Sequence, residues 1–303
     1  MRGTSAQYAL DSERSEGEES LTFISPVDLR NIALFIIAYF VSYSYGLAFK
    51  QESSAPLWLP DSVLLCALLV HPPKKWWLYI VAAAPIRFLA VLHPHVPSWF
   101  ITATFTNDVC KAMLGAYLLR YIKKKSGYFA GIKKFSAYIG IAVVLLPMLS
   151  ACFGASARWA LGYPFWRAYW QWFLGNALTN LVITPTLLLW CSGAYRTQRW
   201  RAREALLGSA CFAVCLYYTV LLIRSNDLPI FLFTPVPFLF WAAARFGAIG
   251  ASTALSFMAL ALMQGISLGS GPLPTHSPGQ SVQFVQLFLG ITSLPIMSVS
   301  HPI

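Results

Sequence analysis

The chain has 303 residues, of which 57% are hydrophobic and only 11% are charged, and its mean hydropathy is +0.59. An ordinary globular domain carries about 25% charged residues, and water cannot solvate so large an excess of apolar surface. The composition therefore excludes a disordered protein, a disulfide scaffold and a cytosolic enzyme as descriptions of the whole chain. The net charge is +11, but the basic residues lie in short clusters between apolar runs. That distribution is typical of membrane proteins, so we expect a lipid bilayer and no nucleic acid as the partner.

The first 30 residues differ from the rest of the chain. They are polar and rich in serine and glycine, and they hold six of the 11 acidic residues. A secretory signal would have a basic start, a short apolar core and small residues at a cleavage site, and none of these features is present. Residues 1–30 are therefore predicted to be a disordered cytoplasmic tail.

Beyond the tail, apolar runs long enough to enter a bilayer follow one another at short intervals. The second run is short, and Pro229, Pro235 and Pro237 interrupt the eighth, so eight to ten transmembrane helices are expected. The fold class predicted is all-α, a polytopic helical bundle in the membrane over residues 31–300. The candidate spans are 31–49, 57–71, 76–93, 98–120, 135–156, 166–191, 204–223, 228–245, 248–267 and 281–300.

The basic residues alternate from loop to loop. Cytoplasmic loops of membrane proteins carry an excess of lysine and arginine, and most of the loop bases fall on one side when the N-terminal tail is placed inside. The predicted outer loops hold only Lys50, Arg158, Arg167 and Arg224. We therefore expect a multi-pass membrane protein with both termini in the cytoplasm.

Motifs for catalysis, metal binding or cofactor binding are not found. The six cysteines form no CxxC pair and have no histidine at the spacing of metal ligands. The chain has no HExxH, no Walker loop, no GxSxG and no Rossmann glycine pattern. We accordingly expect no catalytic residue, no metal and no cofactor.

Ionisable residues inside the predicted spans are the candidate functional residues, because a charge in lipid is costly without a partner. Asp61 follows Pro60 at the start of the second span, where it could simply cap its own helix. Arg87 lies in the third span and needs a partner. In the fourth span, Asp108 and Asn107 each lie within reach of Lys111 on one helix face. We expect Arg87 to pair with Asp61 or to share Asp108, so that one polar cluster joins spans two, three and four. Its role is either packing or signal sensing.

The sixth span adds a second set of candidates. Asn176 and Asn180 are four residues apart, and carboxamides in lipid usually bond to a neighbouring helix, so helix contact is the default and ligand contact the alternative. Trp172 and Asn176 are predicted on the outward-facing side. The outer end of this span is rich in tryptophan, either as an interfacial belt or as the wall of an outward-facing pocket. The tryptophans concerned are Trp159, Trp166, Trp170 and Trp172.

Three stretches, in this order, carry a resemblance to a known family. They are Leu57-Trp58-Leu59-Pro60-Asp61-Ser62-Val63 leading to Lys75-Trp76-Trp77; Asn107-Asp108 with Lys111 and the stretch Leu114 to Arg120; and Trp170 to Ala177 followed by Val182-Ile183-Thr184-Pro185. Together they resemble the first family of bacterial membrane-associated sensor domains, abbreviated MASE, over about residues 30 to 300.

The resemblance implies an integral-membrane input module that is not itself an enzyme. Such a module passes a signal to a histidine kinase or a cyclic-di-GMP module, in cis or in trans, and a homodimer is a further option. The chain ends at Ile303, where an output module would begin, so 301–303 are expected to be its cytoplasmic end. It would be a fragment, a truncated product or a stand-alone sensor. A solute transporter is the alternative function, and an intramembrane enzyme is a third that lacks a partner histidine in any span.

Overall fold

A computed structural model describes residues 25–49, 55–88, 96–123, 129, 131–196, 202–226, 229–268 and 278–299. Within these ranges the regular structure is helical throughout, which confirms the all-α fold class. Short 3-10 helices occupy Pro73–Lys75, Ala194–Arg196 and Pro229–Phe233. The longer helices are α1 (Pro26–Ala48), α2 (Leu59–Val70), α3 (Trp76–Phe88), α4 (Ser98–Lys123), α5 (Ile132–Trp159), α6 (Phe165–Cys191), α7 (Ala202–Asn226), α8 (Val236–Ser267) and α9 (Pro278–Val299).

Six helices of the described chain are long and apolar enough to cross a membrane: α1, α5, α6, α7, α8 and α9. α4 is also long, with 26 residues, but it carries the charged residues of the fourth predicted span. α2 has only 12 residues and spans about 18 Å, against a hydrocarbon core of about 30 Å. Large apolar side chains remain on the outside, such as Ile37 (61% exposed) and Ile291 (73% exposed), as expected of a surface that faces lipid. The chain is therefore a polytopic membrane bundle.

The first helix begins earlier than the apolar run that predicted it. Pro26 occupies the first helical position, Ser25 accepts from the Asp28 backbone N–H, and the Asp28 carboxylate accepts from the Ser25 backbone N–H. This reciprocal pair satisfies two N–H groups that would otherwise lack partners. Lys75 also contacts Asp28, at 2.7 Å. Residues 26–30 are consequently helical, which corrects the tail boundary at residue 30; residues 1–24 lie outside the described ranges.

The bundle is organised around α6. In its most apolar stretch 72% of the residues are buried, compared with 22% for α7. α6 packs against α2, α5, α8 and α9, whereas α2 connects it to α1, α3 and α4. We call the end of the bundle that holds Cys191 and Ala202 the lower end, and the opposite end, where α6 begins, the upper end. Residues on α2 and α6 are thus the ones that most helices can contact.

α5 changes its winding in the middle. Residues Ile139–Leu145 form a π-helix, and Leu146 N–H donates to the Ile141 carbonyl, five residues back. The next such bond would come from residue 147, which is proline and has no N–H. The Ala142 carbonyl instead accepts from Asn180 Nδ2 at 2.8 Å. A side chain of α6 therefore satisfies the backbone group that Pro147 leaves free.

α8 consists of two segments that meet at Gly247, whose φ of 58° and ψ of −149° are not helical. The break lies at the lower end, because Arg245 contacts Glu204 at the start of α7 and Trp190 donates to Thr253. From there one segment runs back along α7, with the Phe238 and Phe212 rings 6.1 Å apart. The other runs back along α6, with Ser256 donating to the Val182 carbonyl. The chain therefore reverses at Gly247, in agreement with separate spans at 228–245 and 248–267.

The short helix α2 needs partners for its last carbonyl groups, since no water is present in the bilayer core. Arg120 of α4 donates to the carbonyls of Leu68, Leu69 and His71. Trp76 Nε1 donates to the Leu68 carbonyl at 2.8 Å and to the His71 carbonyl at 3.2 Å. Side chains of α3 and α4 thus close the lower end of α2.

Replacing Arg120 with methionine should lower the free energy of unfolding by about 1 kcal/mol, the order of one hydrogen bond. The loss stays small because Trp76 still donates to two of the three carbonyls, those of Leu68 and His71. Unfolding of the detergent-solubilised protein by added SDS would measure it. The exposed Lys133 provides the control: Lys133→Met removes the same charge, and an equal loss in both variants would contradict the capping role.

Candidate functional site

Four buried polar side chains meet where α2, α4 and α6 pack together, and we call them the charge cluster: Asp61, Asp108, Lys111 and Asn176. Lys111 Nζ is central, 3.0 Å from Asp61 Oδ2 and 3.9 Å from Asp108 Oδ1. It also donates to Asn176 Oδ1 at 2.6 Å. Lys111 is 6% exposed and Asp61 2% exposed, so water does little to screen these charges. The cluster ties the three helices together by electrostatic contacts inside the bundle.

The sequence predicted only part of this geometry. Asp108 and Lys111 are an i,i+3 pair on α4, as expected, but the shorter contact of Lys111 is with Asp61 on α2. Asp61 does lie in the first turn of α2, yet no side-chain hydrogen bond caps that helix. Asp61 thus occupies the first turn as predicted, but its close contact is the ion pair with Lys111 rather than a hydrogen bond that caps its own helix. Asn176, predicted on the outward side of the sixth span, belongs to the cluster itself.

Trp58, the residue before α2, extends the cluster towards the upper end. Its Nε1 donates to Asp108 Oδ2 at 3.0 Å. The centroid of its ring lies 5.1 Å from the Arg87 guanidinium carbon, a cation–π distance. One side chain therefore contacts an acid of the cluster and a cation outside it. No role was predicted for Trp58, because a tryptophan beside a span usually marks only the membrane interface.

Arg87 does not make the ion pair that was predicted. Among the described residues no carboxylate lies within 4.0 Å of it, so pairing with Asp61 or Asp108 is wrong. Its guanidinium donates instead to Thr104 Oγ1 at 2.7 Å and to the Tyr43 hydroxyl at 3.3 Å. Arg87 is 8% exposed, and its Nε has no hydrogen-bond partner in the described structure. α3 thus contributes a buried cation whose contacts are all neutral.

The other two predicted asparagines lie outside the cluster. Asn107 turns away from Lys111 and donates to the backbone and hydroxyl oxygens of Ser150 on α5, at 3.2 and 2.9 Å. Asn180 donates to the α5 backbone, as described above, and accepts from Thr184. Both therefore join helices, which is the default role of carboxamides in lipid.

The upper-end tryptophans separate into two groups. Trp159, Trp166 and Trp170 are 67%, 68% and 51% exposed, as expected of an interfacial belt. Trp172 alone of the four is buried, with its ring directly against Gly154, where a Cβ would lie 2.4 Å from the ring. Its Nε1 is buried and has no hydrogen-bond partner among the described residues.

Trp172 forms one wall of a cavity of about 220 Å³ at the upper end of the bundle. The floor of this cavity includes Trp58 and Asn176, so two residues that touch the cavity also bond to members of the charge cluster. Arg87 and Arg158 are the charged residues in the described lining. The described lining residues are Tyr43, Gly46, Leu47, Phe49, Ala55, Trp58, Arg87, Val96, Phe100, Ile101, Arg158, Trp172, Gly175 and Asn176.

The chemistry that this arrangement offers is recognition of a ligand. Among the described residues no group of three or more histidine, cysteine, aspartate or glutamate side chains could hold a metal ion. Lys111 pairs with Asp61 at 3.0 Å and lies 3.9 Å from Asp108, to which Trp58 also donates. The arrangement can bind a small molecule in the cavity at the upper end and thereby change the packing of α2, α4 and α6 around the charge cluster.

The MASE1 family model matches residues 28–301, nearly the whole chain. No curated protein and no solved structure matches the chain.

Proposed function

The chain belongs to the MASE1 family of membrane-associated sensor domains, and from this premise we propose that it receives a signal at the upper end and relays it to a cytoplasmic output module. The output module is a histidine kinase or a cyclic-di-GMP enzyme, in cis or in trans. The upper end faces the outside of a bacterial inner membrane, and both termini are cytoplasmic.

The observation that carries this proposal is the pair of residues shared by the cavity and the charge cluster. Trp58 lines the cavity and donates to Asp108; Asn176 lines the cavity and accepts from Lys111. A ligand that moves either side chain changes a hydrogen bond to a buried charge. Because such bonds are strong in a medium of low dielectric constant, a small displacement carries a large free-energy difference.

The relay runs through helix packing. Loss of the Trp58 bond to Asp108, or of the Asn176 bond to Lys111, favours a second arrangement of α2, α4 and α6. α9, the last helix, follows this change because Gln286 donates to the Pro56 carbonyl beside α2 at 2.8 Å, and because α9 packs on α6. The C-terminal end of α9 then transmits the shift to the output module.

The test is fusion of a heterologous histidine kinase core after Ile303, with autophosphorylation measured in membranes. Asp108→Asn and Trp58→Phe each remove one element of the coupling; the first preserves side-chain size and the second preserves an aromatic side chain. We expect both to change basal output by about fivefold or more, the lower range of allosteric coupling.

The matched control is Glu204→Gln, which weakens the ion pair of Glu204 with Arg245 outside the cluster. Autophosphorylation of the Glu204→Gln fusion should equal that of the parent fusion. If all three variants signal like the parent fusion at equal membrane abundance, the charge cluster has no part in signalling and the proposal is abandoned.

The transporter alternative receives no support from the position of the broken helix. A transporter places broken helices at the substrate site near the middle of the membrane. The break at Gly247 lies instead at the lower end, beside Arg245 and Glu204. Of the helices that carry the charge cluster, α4 and α6 are continuous at that depth, whereas α2 begins there, with Asp61 in its first turn.

A further inference from the structure

The cavity contains two arginines that no described carboxylate neutralises. Arg87 is bonded to two hydroxyl oxygens, and Arg158 lies over the rings of Phe100 and Tyr163, with its guanidinium carbon 5.7 and 5.2 Å from their centroids. The Nε atoms of both arginines are buried without hydrogen-bond partners among the described residues. Buried charges are normally paired, so a buried and a half-buried guanidinium group that lack a carboxylate partner among the described residues favour an anionic ligand in this cavity.

The remaining polar atoms around the cavity favour the same kind of ligand. Trp172 Nε1 is a buried donor without a described partner, and indole N–H cannot accept. None of the described lining residues is acidic. The nearest acids of the cluster are already engaged, Asp108 with Trp58 and Asp61 with Lys111. The buried polar groups of the described lining that still lack a partner are therefore hydrogen-bond donors.

The size of the cavity limits the ligand. At about 220 Å³ the cavity is smaller than the roughly 300–1,000 Å³ typical of pockets for drug-sized ligands, so its ligand is small. Aromatic side chains make up much of the wall, including Tyr43, Phe100 and Trp172. A planar guanidinium binds the two oxygens of a carboxylate or phosphate side by side, which a lysine could not do. The ligand that fits is small, with one oxyanion group and a short apolar or neutral body.

We propose that this cavity is the binding site for a phosphate or carboxylate group, held by Arg87 and Arg158, and that this anion is the signal. The inference rests on the proposed input role and adds the chemical class of the ligand. Arg87 stacks on Trp58, so an anion that draws the guanidinium upward withdraws it from the Trp58 ring and alters the Trp58 bond to Asp108. The same chemistry is available from a free anion outside the membrane and from an anionic lipid headgroup.

The first arm of the test uses the whole chain in nanodiscs of phosphatidylcholine, a neutral lipid. Inorganic phosphate and succinate are titrated by calorimetry at constant ionic strength, with chloride as the reference anion. We expect saturable binding of at least one of them. Arg158→Gln should weaken it by about tenfold or more, because a hydrogen bond to a charged group is lost.

The matched control is Arg167→Gln. Arg167 is an exposed arginine near the same end of the bundle and does not line the cavity, so its loss removes one positive charge without touching the site. Trp172→Phe is a second variant that keeps an aromatic side chain and removes the N–H donor. It should weaken binding by about threefold to tenfold, and it keeps the test decisive if Arg158→Gln fails to fold.

The second arm replaces part of the phosphatidylcholine with phosphatidylglycerol and measures the midpoint of thermal unfolding. A rise in the parent and in Arg167→Gln that is absent in Arg158→Gln identifies a lipid headgroup as the anion. Binding in the first arm without such a rise identifies a free anion. If neither arm detects binding, or if Arg158→Gln and Arg167→Gln behave alike, the anion site is refuted.

Both arms measure binding to the chain itself and need no output module. Failure to bind anions would leave the kinase-fusion result for Asp108→Asn and Trp58→Phe intact. Conversely, silent fusions together with saturable binding would preserve the anion site and remove the signalling role. The two proposals can therefore fail separately.

Discussion

Replacing Lys111 with methionine lowers the free energy of unfolding by about 3–5 kcal/mol, the cost of breaking a buried ion pair by removing one partner. The loss is large because two acids, Asp61 and Asp108, then remain buried without their cation. One oxygen of each already has no hydrogen-bond partner in the described structure. SDS unfolding of the protein in mixed micelles is the measurement.

The control for Lys111→Met is Glu204→Gln, which disrupts an ion pair whose arginine side chain is 42% exposed. Exposed pairs contribute about 0–1 kcal/mol. The double variant Asp61→Leu, Lys111→Met should recover part of the lost stability, since apolar replacement of a buried pair is often neutral, while Asp108 keeps only its Trp58 donor. A single Lys111→Met variant as stable as Glu204→Gln would contradict the central role of Lys111.

Gly175→Ala should lower the free energy of unfolding by about 1–3 kcal/mol, the usual cost of overpacking a tight contact. A Cβ at this position would lie 2.9 Å from the Ala55 carbonyl oxygen. That oxygen belongs to the backbone and cannot rotate away, so α6 and the segment leading into α2 must separate. Gly175 also borders both Asn176 and the cavity, so anion binding should weaken along with stability.

Gly290→Ala on α9 is the matched control, because no atom lies within 4 Å of a Cβ there. Alanine is a better helix former than glycine by about 1 kcal/mol, so this variant should be neutral or slightly stabilising. The same SDS titration measures both variants. Equal stability of the two would show that α2 and α6 do not approach each other so closely in the membrane.

The parts of the fold that follow from local pattern could be predicted from the sequence. The apolar runs located the helices, the short second run became the 12-residue α2, and the boundary near residue 247 separated two spans of opposite direction. The i,i+3 spacing also placed Asp108 and Lys111 on one face. Each of these depends on neighbours within a few residues in the chain.

The partners of the charged residues could not be predicted, because they depend on which helices become neighbours. Arg87 was assigned to a carboxylate on the general rule that charges pair, yet its contacts come from Tyr43 and Thr104. Asn176 was assigned to helix contact or ligand contact, and it accepts from Lys111 across the bundle. A contact between residues that lie far apart in the chain produces no periodic pattern in a single sequence.

Arg158 is the residue that sequence reasoning missed most clearly. It was counted only as an outer-loop base, although it ends α5 and lines the cavity. A partial signal was present in its aromatic surroundings, with Trp159 beside it and Tyr163 one turn further along. Aromatic faces attract guanidinium groups and hold them out of water.

The reversal at Gly247 has a consequence for biogenesis. The two arms of α8 are joined without a polar loop, and Arg245 at the tip contacts Glu204, which is made earlier in synthesis. Neither arm can be left in the translocation channel while the other enters lipid, so both should partition from it as a helical hairpin. The two arms can therefore enter the lipid only after the chain has been synthesised to about residue 267. α7 packs on the first arm and can complete those contacts only then.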